Sequence, residues 1–427
     1  MKKVLIITYY WPPAGGPGVH RWLSFAKHLL EFGYKPVVVI PKNPHYPLYD
    51  DSNLRNISRD VETIEVPIFE PYAIAGKLSP KSTNKNKKGI IDPEDHQSYL
   101  QKSMLYVRGN YFIPDARKFW IKPVVKKLRK YLKDTPVDQM ITTGPPHSVH
   151  LIGDKIKTEF PSIKWLADFR DPWTNISYHS QLKMKDAAKQ KHQALEKKVL
   201  DTADQLIVTS FQTQEEFQQK TDTPVEIITN GFENWEKPDD LSLTDNFTLL
   251  HIGSLQKGRN PRVLWEVLKE LADEDKKFNE FLEIQLIGSI SNEIDQSIKH
   301  YGLKKYIYFN KHVSHQQSLE MQCSSMLLLL IEENSSIKSG IIPAKFFEYL
   351  YAKRPIVAIG PENWDVKKLI DDTKSGKVFS YQDKTALKKH ISEAFKKYQK
   401  GKLNIKSKNL DQFSRKTLTQ NLIKLLE

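Results

Sequence analysis

Glu348 stands one to two turns into a segment that reads as a helix, and the loop before it, Ser339-Gly340-Ile341-Ile342, leads into Pro343. Proline is accepted in a first helical turn because its missing N–H has no intrahelical partner there. Just upstream, the unbroken apolar run at 326–331 is what a parallel strand buried on both faces requires. The loop is therefore expected between a strand's carboxyl end and a helix's amino end, where free N–H groups and the helix dipole favour a phosphate. A carboxylate placed like Glu348 accepts hydrogen bonds from a ribose diol. An ordinary strand–loop–helix carrying a solvated glutamate is the competing reading.

Two further groups of residues are typed for chemistry. Asp168, Arg170 and Asp171 follow a strand expected over 163–167, and His147 leaves the neighbouring strand in Thr143-Gly144-Pro145-Pro146-His147. Past strand carboxyl ends such groups are expected to share one crevice, where a histidine with carboxylates does acid–base or substrate-orienting work. The alternative is an internal pairing of Arg170 that fixes the loop. Lys257 and Arg259 lie on the loop 253–260 that opens with Gly253 and Ser254, placed to reach a diphosphate at the 339–342 turn. Gly15, Gly16 and Gly18 sit in a strand-to-helix turn over 9–18, where a glycine backbone can approach a ligand closely. Arg21 occupies the third glycine position of a dinucleotide fingerprint, and no Gly-Lys-Ser/Thr follows, so neither that motif nor a P-loop is present.

The elements that must position these groups alternate in α/β fashion. Strands are expected over 4–8, 36–40, 61–66, 138–142, 163–167, 205–209 and 225–228, then over 247–252, 282–287, 307–309, 326–331 and 355–358. Helical spacing is expected from Val19 to Leu30 and over 119–132, 261–271, 294–300, 314–322, 385–397 and 412–426. At 427 residues the chain exceeds one compact core. The expected division is 1–231, with an irregular insertion at 67–117 (polar and Lys-rich over 80–92), a linker at 232–246, a second domain at 247–400 and a tail at 401–427 whose helix returns to the first domain. The expected fold is α/β, two Rossmann-like doubly wound parallel-sheet domains facing a central cleft.

The formal net charge of +14 asks for an anionic partner. No recognition helix or RNA-binding aromatic motif accompanies it, so nucleic acid is not expected. The single Cys323 excludes an intramolecular disulfide and fits a reducing compartment. The five residues at 4–8 are too short for a signal segment, and no window approaches the ~18 apolar residues of a membrane span. A cytoplasmic location is expected. No His/Cys/Asp group has metal spacing and no Gly-x-Ser-x-Gly elbow occurs.

Taken in order, Pro12-Pro-Ala-Gly-Gly-Pro-Gly18, Asn230-Gly231-Phe232, His251-Ile-Gly-Ser-Leu-Gln-Lys-Gly-Arg259 and Ile342-Pro-Ala-Lys-Phe-Phe-Glu-Tyr-Leu350 with Lys353-Arg-Pro-Ile-Val-Ala358 resemble family 4 of the retaining GT-B glycosyltransferases over nearly the whole chain. The resemblance implies transfer of a sugar from a nucleotide-diphosphate donor to a saccharide or lipid-linked acceptor in surface polysaccharide assembly, without a metal or cofactor. It implies a peripheral contact with an anionic membrane. By position, Glu348 would hold the ribose, and Ile341, Ile342, Lys345, Lys257 and Arg259 would stand with Gly253, Ser254 and Gly340 around the diphosphate. Gly15, Gly16 and Gly18 would lie on the donor's distal side, with His147, Asp168, Arg170 and Asp171 toward sugar and acceptor. Gly340 replaces the family's usual acidic residue eight positions before the ribose glutamate, and Ser254 replaces its usual arginine. A non-catalytic nucleotide-sugar-binding protein and a sugar-nucleotide epimerase are the alternatives.

Overall fold

The computed structural model describes residues 1–70, 99–311, 313–334 and 341–427. The polar segment 80–92, Ser339 and Gly340 lie outside these. The chain divides into two compact units, the first formed by 1–230 with 415–427 and the second by 231–414.

The first unit carries β1 (Lys2–Thr8), α1 (Pro17–Glu31), β2 (Tyr34–Lys42), β3 (Glu62–Pro67), α2 (Tyr99–Tyr111), α3 (Ile121–Asp134), β4 (Gln139–Gly144), α4 (Ser148–Glu159), β5 (Lys164–Phe169), α5 (Asp186–Thr202), β6 (Gln205–Val208), α6 (Phe211–Gln218) and β7 (Val225–Ile227). Its strands form one parallel sheet in the order β3-β2-β1-β4-β5-β6-β7. Val4–Ile7 are wholly buried because helices cover both faces. Side chains alternate across a strand, so Leu5, Ile7, Val37 and Val39 pack with Trp120, Val124, Leu128 and Trp165. Val4, Ile6 and Val38 pack on the other face with Trp22, Phe25 and Leu29. That second layer is completed from far along the chain by Leu418, Leu422 and Leu426 of the helix Arg415–Leu426. Gln139 Nε2 donates to the Leu426 carbonyl at 3.0 Å. The insertion expected to be irregular contains α2, whose weak apolar periodicity and interleaved aromatics hide it from a pattern reading.

The second unit carries β8 (Phe247–Ile252), α7 (Arg262–Glu274), α8 (Lys276–Phe281), β9 (Leu282–Ile287), α9 (Asn292–His300), β10 (Ile307–Asn310), α10 (His315–Ser324), β11 (Leu327–Ile331), α11 (Ala344–Ala352), β12 (Ile356–Ile359), α12 (Asp365–Thr373), β13 (Gly376–Phe379) and α13 (Lys384–Tyr398). The helix Arg415–Leu426 of the first unit is α14. The second unit's sheet is parallel in the order β10-β9-β8-β11-β12-β13. Residues 232–246, expected as a linker, are folded onto this unit. Phe232 N–H donates to the Phe413 carbonyl at 2.9 Å and Thr244 N–H to that of Ser324 at 3.0 Å. Tyr351 hydroxyl donates to the Trp235 carbonyl at 2.6 Å.

Both sheets reverse strand order beside their first strand, at β1/β4 and at β8/β11. In open α/β sheets ligands bind outside the carboxyl ends of strands at such reversals. No helix among the described residues is long and apolar enough to cross a membrane.

Candidate functional site

Three segments meet at the β8/β11 reversal. The turn after β8 begins with Gly253 at φ 112°, a left-handed conformation that suits glycine. It continues through exposed Ser254, whose hydroxyl accepts from that of Ser289 at 2.9 Å, to a 3-10 turn over Lys257–Arg259 with Lys257 exposed. Past β11, Glu332–Asn334 grip that turn: Asn334 N–H donates to the Gly258 carbonyl at 3.3 Å. A Cβ on Gly258 would lie 2.6 Å from Glu333 Oε1, so a side chain there would displace this contact. The third segment is Ile341–Pro343 running into α11, with Ile342 buried and the Ile341 carbonyl accepting from Trp364 Nε1 at 3.4 Å.

Two cations and two carboxylates stand here. Lys345 Nζ donates to the Ile252 carbonyl at 2.9 Å and lies 3.4 Å from His251 Nε2. His251 Nδ1 faces the Leu329 carbonyl at 3.1 Å; a carbonyl only accepts, so Nδ1 carries the proton and Nε2 turns its lone pair to the ammonium. Burial, reinforced by Arg259, pushes the Lys345 ammonium down to about 7. Arg259, expected to reach a diphosphate, is paired within the unit: its Nε and Nη2 both bond Glu332 Oε1, at 3.0 and 2.8 Å. Glu348 has partners as well, His315 Nε2 and Gln322 Nε2, each at 3.1 Å. Tyr349 ties the helix to the strand ends, its hydroxyl contacting Ile252 N at 3.2 Å and the Leu329 carbonyl at 3.3 Å. Glu332 and His251 were not singled out by sequence reasoning. The available signal was position, since Glu332 is the first residue after an all-apolar run.

At the β1/β4 reversal the expected catalytic group is largely internal. Asp168 lies within β5, not past it, and is fully buried. Its Oδ1 accepts from Arg21 Nη2 at 3.0 Å, and its Oδ2 from Trp22 Nε1 at 2.8 Å and Thr143 Oγ1 at 2.7 Å. Arg21 also donates to the Thr229 carbonyl. Asp168 therefore fastens α1 to the sheet, a correction to its catalytic assignment. Arg170 clamps the loop after β4 through the carbonyls of Gly144 (3.0 Å from Nε) and Pro145, not through Asp168. Gly18 lies in the first turn of α1 against this guanidinium; a Cβ would sit 1.6 Å from Nη1. Its missing side chain makes room for Arg170, a correction to its donor-binding assignment. Gly15 faces Leu48 and Asp50, each about to be touched by any added Cβ, and Gly16 caps α1 at φ 107°. Burial raises the Asp171 carboxyl.

His147 was expected to face a crevice, yet it is 4% exposed, its ring stacked 5.0 Å from that of Trp173. Neither ring nitrogen has a partner among the described residues. His150, 0% exposed, stacks on Phe169 at 4.2 Å with Nδ1 2.8 Å from Thr142 Oγ1. Burial lowers His147 well below the usual range and His150 to about 3. The unfolded chain, with ordinary histidines near 6.5, then binds more protons than the folded unit between pH 3 and 6.5. This contribution to stability is complete above pH 6.5 and is lost as pH falls toward 3, by about 1.4 kcal/mol per unit for each neutral histidine. Urea unfolding at pH 7.5, 6.0 and 5.0 is expected to show that decline, with His150→Phe reducing the slope.

Among the described residues no group of three or more His, Cys, Asp or Glu has metal-holding geometry. No family model matches the sequence, and no curated protein matches it significantly. Solved structures do match over the full length of both units. Sucrose-phosphate synthase from Thermosynechococcus elongatus is 13% identical, with 100% of this chain and 98% of that chain covered at a TM-score of 0.61. TarM from S. aureus, solved with fondaparinux, alpha-GlcNAc-glycerol and UDP, is 11% identical with 100% of both chains covered at 0.60. The chain has the GT-B fold. WaaG, a glycosyltransferase involved in lipopolysaccharide biosynthesis, shares it at 13% identity, 98% and 93% coverage and a TM-score of 0.53. Identities this low carry the GT-B architecture and leave the chemistry to the residues themselves.

Proposed function

We propose that this GT-B chain is a retaining glycosyltransferase that takes a sugar from a nucleotide-diphosphate donor and passes it to a saccharide or lipid-linked acceptor. The observation that carries the reading is the group of Arg259, Lys345, Glu332 and Glu348 around the start of α11 at the second unit's strand-order reversal. Cations and a helix N-terminus suit the diphosphate, and Glu348 suits the ribose, sharing its oxygens with or exchanging them from His315 and Gln322. As the glycosidic bond breaks, Lys345 and Arg259 would stabilise the charge developing on the leaving diphosphate. That no metal takes part belongs to the same proposal and rests on the resemblance alone. The first unit would hold the acceptor, with the Gly15–Gly16 turn and Asp171 at its strand ends. Work in surface polysaccharide assembly, on the cytoplasmic face of an anionic membrane, is part of the same proposal and rests on the resemblance and the basic charge.

The test is a screen of UDP-, GDP-, ADP- and TDP-sugars for thermal stabilisation, followed by nucleotide release with candidate acceptors. Stabilisation by one nucleotide class with acceptor-dependent release is the expected result; absence of both removes the reading. A second reading, a non-catalytic nucleotide-sugar binder, is favoured by the pairing of Arg259 with Glu332 in the ligand-free unit. Binding without any release would select it.

A further inference from the structure

Glu332 is 4% exposed at the carboxyl end of β11, and its two oxygens are used unequally. Oε1 accepts three hydrogen bonds, from Arg259 Nε and Nη2 and from the Glu333 N–H at 2.9 Å. Oε2 is buried and has no partner among the described residues. An ionised carboxylate is acceptor-only, and a buried acceptor left unsatisfied is costly, so the folded unit presents an unmet demand for a donor. Phosphate cannot meet it, because at neutral pH its oxygens are acceptors and carry charge of the same sign. A hydroxyl can. The same few residues thus hold cations suited to phosphate and one oxygen suited to an alcohol.

Resting on the glycosyltransferase reading, we propose that Glu332 is a specificity-determining residue: Oε1 orients Arg259 toward the diphosphate while Oε2 accepts a hydrogen bond from a hydroxyl of the sugar moiety. Glu332 makes the site discriminate between a sugar nucleotide and the bare nucleoside diphosphate left after transfer. Toward the bare diphosphate its hold on Arg259 is offset by its own negative charge; toward the conjugate it offers a charge-assisted bond in addition. It thereby favours loading of donor over retention of product.

Calorimetric titration of the full chain with UDP, GDP, ADP and TDP, each alone and as its glucose or mannose conjugate, tests this. For the nucleotide the wild type binds, Glu332→Gln keeps an acceptor for Arg259, and Glu332→Met removes it. Both variants are expected to bind the bare diphosphate within about 3-fold of wild type or tighter. Both are expected to lower the ratio of conjugate to bare-diphosphate affinity, by about 5-fold in Glu332→Gln and about tenfold or more in Glu332→Met. Equal losses for the two ligands would make Glu332 a mere support for Arg259 and overturn the proposal, as would an unchanged ratio. A wild-type chain that binds none of these compounds overturns the glycosyltransferase reading itself, together with the inference built on it. Melting temperatures of the ligand-free variants identify a fold defect, which moves both affinities alike.

Discussion

Asp168→Ala is expected to destabilise the first unit by about 3–5 kcal/mol, the cost of leaving one member of a buried ion pair without the other. Arg21 is 1% exposed and Asp168 0%, so neither water nor salt can take over the lost interaction. The substitution also strips Trp22 Nε1 and Thr143 Oγ1 of their acceptor. Urea unfolding monitored by tryptophan fluorescence measures the loss. Replacing the pair together, Asp168→Leu with Arg21→Met, is expected to recover much of it, because an apolar pair of similar volume carries no desolvation penalty. If Asp168→Ala instead unfolds within about 1 kcal/mol of wild type while sugar transfer disappears, the carboxylate has a chemical task and its structural assignment is wrong.

Arg259→Ala is expected to produce the largest loss of function, at least about 100-fold in kcat/KM for a nucleotide-sugar donor. Two effects add: the proposed charge-assisted bond to the diphosphate disappears, typically about 1.5–3 kcal/mol, and Glu332 is left without its cation in the proposed donor site. Lys345→Met removes a cation and its bond to the Ile252 carbonyl but leaves no carboxylate unpaired, so about tenfold is expected. The pH dependence separates the two. With its ammonium at about 7 in the ligand-free chain, Lys345 is charged below that pH and increasingly neutral above it. Diphosphate binding favours the charged form, so the donor KM is expected to rise between pH 6 and 9 in the wild type. Lys345→Met should flatten the rise, and Arg259→Ala should leave it in place. A flat wild-type profile would show that Lys345 does not meet the donor.

Much of this was legible from residue order. Apolar runs such as 326–331 and the strand at 4–8 announce parallel strands because covered sheets need both faces apolar, and β11 and β1 lie there. Lys345 and Glu348 could be placed on a helix after such a strand because Pro343 marks where it opens, and α11 starts at Ala344. Strand ends were harder. Asp168 looked like the first loop residue after Ala167, and only the register Asp168↔Ile207 reveals that the strand continues through it. No local pattern says that Arg21, 147 positions away, arrives to neutralise it. The partner of Arg259 was hidden for the same reason: Glu332 is distant in sequence, and a charge pairs by proximity in space. β13 carries Gly376 and Lys377 in a four-residue edge strand, too short and too polar to stand out.

The placement of α14 has a consequence for biogenesis. Its Leu418, Leu422 and Leu426 cover Trp22, Phe25 and Leu29, yet the ribosome reaches them only after residues 231–414 have been made. The nascent first unit must wait with that tryptophan-rich surface uncovered, a state in which chaperones or self-association compete for it. Expression yield should therefore depend more steeply on translation through the second unit than on the stability of either unit once finished.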